Sequence, residues 1–120
     1  SDVYKRQTYV YANRLTDSAK NIADAAAHEV GHSLGLAHDG RTVSEYYSGH
    51  GSGATDWAPT MGVGYNANIV QWSNGSYNGA TTTQDDLSII TTQNSGVAYR
   101  ADDHGNTFAT ASALGGTVTA

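Results

Sequence analysis

The feature that most restricts this chain is the run His28-Glu29-Val30-Gly31-His32-Ser33-Leu34-Gly35-Leu36-Ala37-His38. At 3.6 residues per turn, His28 and His32 fall on one helical face, about 40° apart and one turn above the other. A straight continuation would carry His38 about 9 Å farther along the axis than His32. The three imidazoles can share one point only if the helix stops between them. Gly35 stands there, a residue that takes a left-handed backbone without steric cost. The sequence therefore predicts a helix ending at a glycine turn, and a chain that doubles back to bring His38 beside the other two.

Three imidazoles around one ion leave a fourth position for water, the arrangement of a catalytic zinc site, whereas structural sites are closed by four protein ligands. His28, His32 and His38 are the expected ligands. Glu29 lies about 100° round the helix from His28, where a carboxylate flanks the ion and can act as a general base toward an attacking water. Ile22, Ala26, Val30 and Leu34 recur every four residues and predict an apolar stripe that packs on a core, opposite the histidines. Asp17 or Ser18 is the expected N-cap.

Elsewhere the pattern is weaker. Thr8-Tyr9-Val10-Tyr11-Ala12 is β-branched and aromatic, which predicts a short strand. Asp39 to about Thr82 dissolves into Gly, Ser, Asn and Tyr, and so irregular a stretch in a compact domain is usually functional. Thr83-Gln84-Asp85-Asp86 reads as a cap with acidic residues in the first turn, opening a second helix from about Gln84 to Gln93. Asp102 to Thr107 opens another segment, expected to be a linker and the start of a following module over residues 101–120. Its acidic residues offer oxygen ligands of the kind calcium takes, a lesser reading than a linker.

Composition removes several classes. Lys+Arg is 6 against 11 Asp+Glu, a formal charge of -5, so neither nucleic acid nor an anionic membrane is an expected partner. Cysteine is absent, which excludes disulfides, thiolate metal sites and a cysteine nucleophile. The opening residues 1–7 are similar to the in-frame translation of a transposon end used in sequencing libraries, and are expected to be an assembly artefact.

The histidine segment resembles the zinc-binding motif of the metzincin metallopeptidases, HExxHxxGxxH, followed by a Met-turn. Ala58-Pro59-Thr60-Met61-Gly62 is similar to that turn, and Met61 is the only methionine. Asp39, directly after the third histidine, is similar to the adamalysin/reprolysin branch, and the missing cysteines resemble a secreted bacterial member more than an animal one. The resemblance implies an α+β fold covering residues 8–100: the C-terminal part of a catalytic domain, with its last sheet strand, the long active-site helix, an irregular Met-turn subdomain and a second helix. It implies a secreted, zinc-dependent endopeptidase acting on protein or peptide substrates. In that enzyme Glu29 is the catalytic base, and Met61 is a hydrophobic floor beneath the zinc. The competing expectation is an inactive, zinc-containing adhesion or binding segment; Glu29 speaks against it, since a structural site has no use for that carboxylate.

Smaller features carry expectations of their own. Tyr65 and His50 read first as packing and loop residues, and Asp39 as a brace for the site by hydrogen bonding. By resemblance, Trp72 and Tyr77 are candidate walls of a side-chain pocket shaped by residues 62–82. Asn74-Gly75-Ser76 reads as a turn. A carbohydrate-binding role rests only on the Trp, Tyr and Asn content.

Overall fold

A computed structural model describes residues 7–113. The fold is a small α+β arrangement in which two helices and one two-stranded parallel sheet are linked by long irregular segments. Helix α1 spans Ala19–Ser33 and helix α2 spans Asp86–Gln93; strands β1 and β2 are Trp57–Pro59 and Ile69–Gln71. Short 3-10 turns occupy Ala12–Leu15 and Gly53–Thr55.

Helix α1 forms where alanine, the strongest helix former, is densest. The Ser18 hydroxyl caps it by accepting from the Asn21 N–H. Lys20 pairs with Asp24 one turn on and also donates to the Gly64 carbonyl at 2.9 Å, tying the helix start to the loop that follows β1. At the far end Gly35 has φ +99°, the Gly35 N–H donates to the His32 carbonyl, and the Leu36 N–H donates back to Gly31. Those two bonds are the Schellman pairing that satisfies terminal helix carbonyls. The glycine stop therefore falls where the histidine spacing requires it.

The core is compact: Leu36, Met61 and Ile90 are buried together, with Leu34, Trp72 and Ile89 packed against them. Met61 is 0% exposed. It rests on Gly31, where an added Cβ would stand 2.4 Å from the Met61 sulfur and 3.1 Å from the Trp72 ring. Only glycine lets the helix come that close. Helix α2 is capped by Asp85, whose carboxylate accepts from the Ser88 N–H at 3.0 Å. Its end is tied to the end of α1 by Asn94, which donates to the Leu34 carbonyl at 2.9 Å.

Three expectations need correction. Residues 8–12 form no strand; Tyr9 and Tyr11 are 72% and 70% exposed, and the 3-10 turn begins at Ala12. A strand needs a partner for its backbone groups, and none pairs with this segment among the described residues. The Ile22-Ala26-Val30-Leu34 stripe is not a buried face: Leu34 reaches the core, but Val30 is 42% exposed. The helix position that is truly buried is Gly31, one residue round from the stripe. The stretch from 39 to 82 is irregular as expected, yet it holds the sheet. The strands pair in parallel with Trp57 opposite Ile69 and Pro59 opposite Gln71. Parallel neighbours ordinarily need a crossover of about a dozen residues or more; residues 60–68 suffice because each strand is so short.

Residues 101–113 contain no helix or strand and are largely exposed. The artefact expected over residues 1–7 lies, but for Gln7, outside the described residues. Among the described residues, no helix is long and apolar enough to cross a membrane.

Candidate metal centre

Helix α1 and its glycine turn bring the three predicted ligands together. One nitrogen from each of His28, His32 and His38 lies within 4.8 Å of the other two, and the group could hold a metal ion. The ring centroids are 4.7 to 5.3 Å apart. His38 thus returns to the helix face instead of continuing along the axis.

Each ring is aimed by its other nitrogen. His28 Nδ1 donates to the Thr60 carbonyl at 2.9 Å, His32 Nδ1 to the Leu36 carbonyl at 2.9 Å, and His38 Nδ1 to the Glu45 carboxylate at 2.8 Å. Carbonyl and carboxylate oxygens only accept, so all three Nδ1 atoms carry protons, and in the neutral form of each ring Nε2 is left to present a lone pair. His32 Nε2 and His38 Nε2 stand 2.9 Å apart. Two lone pairs face to face at that distance repel unless a proton or a cation lies between them. Nitrogens sharing a tetrahedral ion at 2.0–2.1 Å stand about 3.3 Å apart, close to this spacing. Such outer hydrogen bonds are what hold ligating histidines in register and raise their basicity. The donor set therefore fits a metal ion that accepts nitrogen ligands. Burial holds the His28 imidazole below its ordinary pKa; the Thr60 bond opposes this, and the neighbouring His32 and His38 reinforce it. The neutral form, the one that ligates, is favoured.

Glu29 is exposed and makes no hydrogen bond among the described residues. With His28, Tyr46, Val63 and Tyr65 it lines an open cavity of about 330 Å³. The Tyr46 ring lies 4.3 Å from the His38 ring, centroid to centroid. Tyr65 lines the same cavity and is 38% exposed, so it is not an interior packing residue.

The turn that carries Met61 runs from Pro59 to Gly62, closed by the Gly62 N–H donating to the Pro59 carbonyl at 3.0 Å. It supplies the Thr60 carbonyl to His28 and, through Met61, the floor under Gly31. Asp39 ties this turn to the loop after His38: its N–H donates to the Met61 carbonyl and its carbonyl accepts from Tyr47, both at 2.8 Å. The expected brace is therefore made by the Asp39 backbone. Its carboxylate is fully buried, with both oxygens lacking a hydrogen-bond partner, and burial together with the charge of Asp86 pushes its pKa up to about 7.

The other singled-out residues lie elsewhere. His50 is outside the histidine cluster and is bonded through Nδ1 to the Tyr47 hydroxyl. Trp72 packs on the core and Tyr77 is buried, its hydroxyl donating to the Gly40 carbonyl; both line a different cavity that none of the three histidines enters. Asn74-Gly75-Ser76 is a turn, with the Asn74 side-chain Oδ1 accepting from the Ser76 N–H. Sequence reasoning missed Glu45 and Tyr46. Glu45 sits seven residues past His38 in a polar loop that is neither helix nor strand, so no period places it beside the histidine.

Compared with protein-family models, with curated proteins and with solved structures, the chain finds no match in any of the three, so the metzincin resemblance rests on the motif residues themselves.

Proposed function

We propose that the chain carries the zinc site of a metalloendopeptidase of metzincin type, a secreted enzyme hydrolysing peptide bonds of protein or peptide substrates. The observation that carries this is the convergence of one ring nitrogen from each of three histidines, each imidazole held by a separate acceptor, beside a carboxylate that has no structural task.

The Nε2 atoms of His28, His32 and His38 would hold the ion. Bound zinc supplies a Lewis acid that polarises the peptide carbonyl and makes water a nucleophile at neutral pH. Glu29, the next residue after a ligand and open to the adjoining cavity, accepts the proton released as water adds to the carbonyl carbon. It then delivers that proton to the departing amine nitrogen, so the carboxylate ends the cycle as it began. Tyr46, Val63 and Tyr65 form the wall against which the substrate backbone would lie. Gly31 and Met61 keep the helix seated, so the two ligands on α1 do not drift apart.

Zinc content and casein cleavage, measured on the wild-type chain, on Glu29→Ala and on His32→Ala, test the proposal. Wild type should bind one zinc and cleave. Glu29→Ala should keep the metal and lose about 10²–10⁴-fold in rate, the usual worth of a general base. His32→Ala should lose the metal. Full cleavage by zinc-loaded Glu29→Ala would remove that residue from the mechanism. A zinc-loaded wild-type chain that leaves casein intact would favour the inactive binding segment.

A further inference from the structure

We propose that a second cavity, away from the histidines, takes a neutral oligosaccharide. It measures about 540 Å³ and opens over the edge of β1 and β2, next to the start of α2. Trp57, Trp72, Tyr77 and Tyr99 give it aromatic walls. The Trp57 ring lies 6.3 Å from the Tyr77 ring and 5.2 Å from the His50 ring. Tyr77 is itself held in place by stacking on Tyr47 at 4.3 Å.

The polar lining is pre-set. Gln71 accepts from the Trp57 indole N–H at 2.9 Å, which fixes its carbonyl and leaves its NH₂ without a partner among the described residues. Asn74 accepts from the Ser76 N–H at 3.2 Å, which again leaves the NH₂ free among the described residues. Asp85 gives one oxygen to the Ser88 N–H, and its other oxygen is available to accept. His50 is held through Nδ1 by Tyr47, leaving Nε2. Each side chain is thus oriented by one bond inside the protein and offers its other half outward. Affinity is gained when such groups need no ordering on binding.

This lining selects a chemical class. No Lys or Arg lines the cavity, so it has no cation to offer phosphate or carboxylate. Asp85 is its one carboxylate, too little for a strongly cationic occupant. Amide donors, one carboxylate acceptor and flat aromatic walls match a ring with hydroxyls on its rim and C–H bonds on its face. The site is independent of the metal centre, since no histidine of the cluster lines it.

Trp57 and Trp72 are the chain's two tryptophans and both line the cavity, so intrinsic fluorescence reports on it directly. Cellotriose, triacetylchitotriose and maltotriose, each titrated to about 10 mM into the full chain with and without chelator, are the probes, with arginine methyl ester as the cationic counterpart. At least one trisaccharide should give a saturable change, equal in both conditions. Gln71→Glu and Asn74→Asp keep the oxygen that accepts from Trp57 or Ser76 and replace each NH₂ donor by a charged acceptor oxygen. Together they should weaken binding by about tenfold or more, at unchanged thermal midpoint. No saturation with any of the three sugars overturns the proposal, as does saturation by the arginine ester alone. Sugar binding unaffected by the two substitutions would equally overturn it.

Discussion

Replacing Asp39 by asparagine removes a charge that the fold holds at a loss. The carboxylate is 0% exposed, both oxygens lack hydrogen-bond partners, and its pKa is raised from 3.8 to about 7, first by burial and then by Asp86. Because the folded value lies above the unfolded one, the folded state favours the protonated acid. The stability this provides is complete below about pH 4 and is lost as pH rises through about 7. Roughly three units at 1.36 kcal/mol each set a ceiling of about 4 kcal/mol on the change. The amide of the Asp39→Asn variant cannot ionise and shows no such slope. Urea unfolding in the presence of chelator, at pH 4 and pH 8, should therefore find the variant's advantage over wild type growing with pH by up to about 4 kcal/mol. An advantage that is the same at both pH values, or that shrinks on going alkaline, would refute the assignment of a buried, destabilising charge to this position.

Three further outcomes follow from the geometry. Glu45→Ala removes the acceptor that orients His38 and should lower metal affinity by about 10–100-fold in a chelator competition, with little effect on the melting of the metal-free chain. Gly31→Ala drives a methyl into Met61 and should destabilise by about 1–3 kcal/mol in denaturant unfolding, despite the roughly 1 kcal/mol that alanine gains in a helix. Gly35→Ala forces a side chain into positive φ; it should cost about 1–2 kcal/mol and loosen metal binding, since His38 is placed by that turn.

What the sequence disclosed was governed by local rules. Helix α1, its serine cap, its glycine stop and the gathering of three histidines all follow from 3.6-residue periodicity and the steric freedom of glycine. Helix α2 likewise follows from Asp85 and Asp86 at its start. The rest depended on partners far along the chain. Residues 8–12 had the composition of a strand but no neighbour to pair with among the described residues. Strands β1 and β2 are three residues each, too short for alternation to register. Val30 lay on the predicted stripe, but Met61 and Trp72 approach the helix at Gly31 instead. Glu45 and the Thr60 carbonyl reach their histidines across turns whose paths no spacing rule encodes.

Two of the three histidines are steadied by main-chain oxygens, those of residues 36 and 60, rather than by side chains. Every amino acid carries such an oxygen, so the identity of either residue is irrelevant to ring alignment as long as the peptide plane keeps its tilt. Thr60→Val should leave metal uptake untouched. Ring alignment is accordingly tolerant of replacement at Thr60, and at both positions vulnerable to anything that twists the polypeptide, including loss of the buried Leu36 side chain from the core. At His28 and His32, ring alignment is lost through a bent backbone; at His38 it is lost with the Glu45 carboxylate.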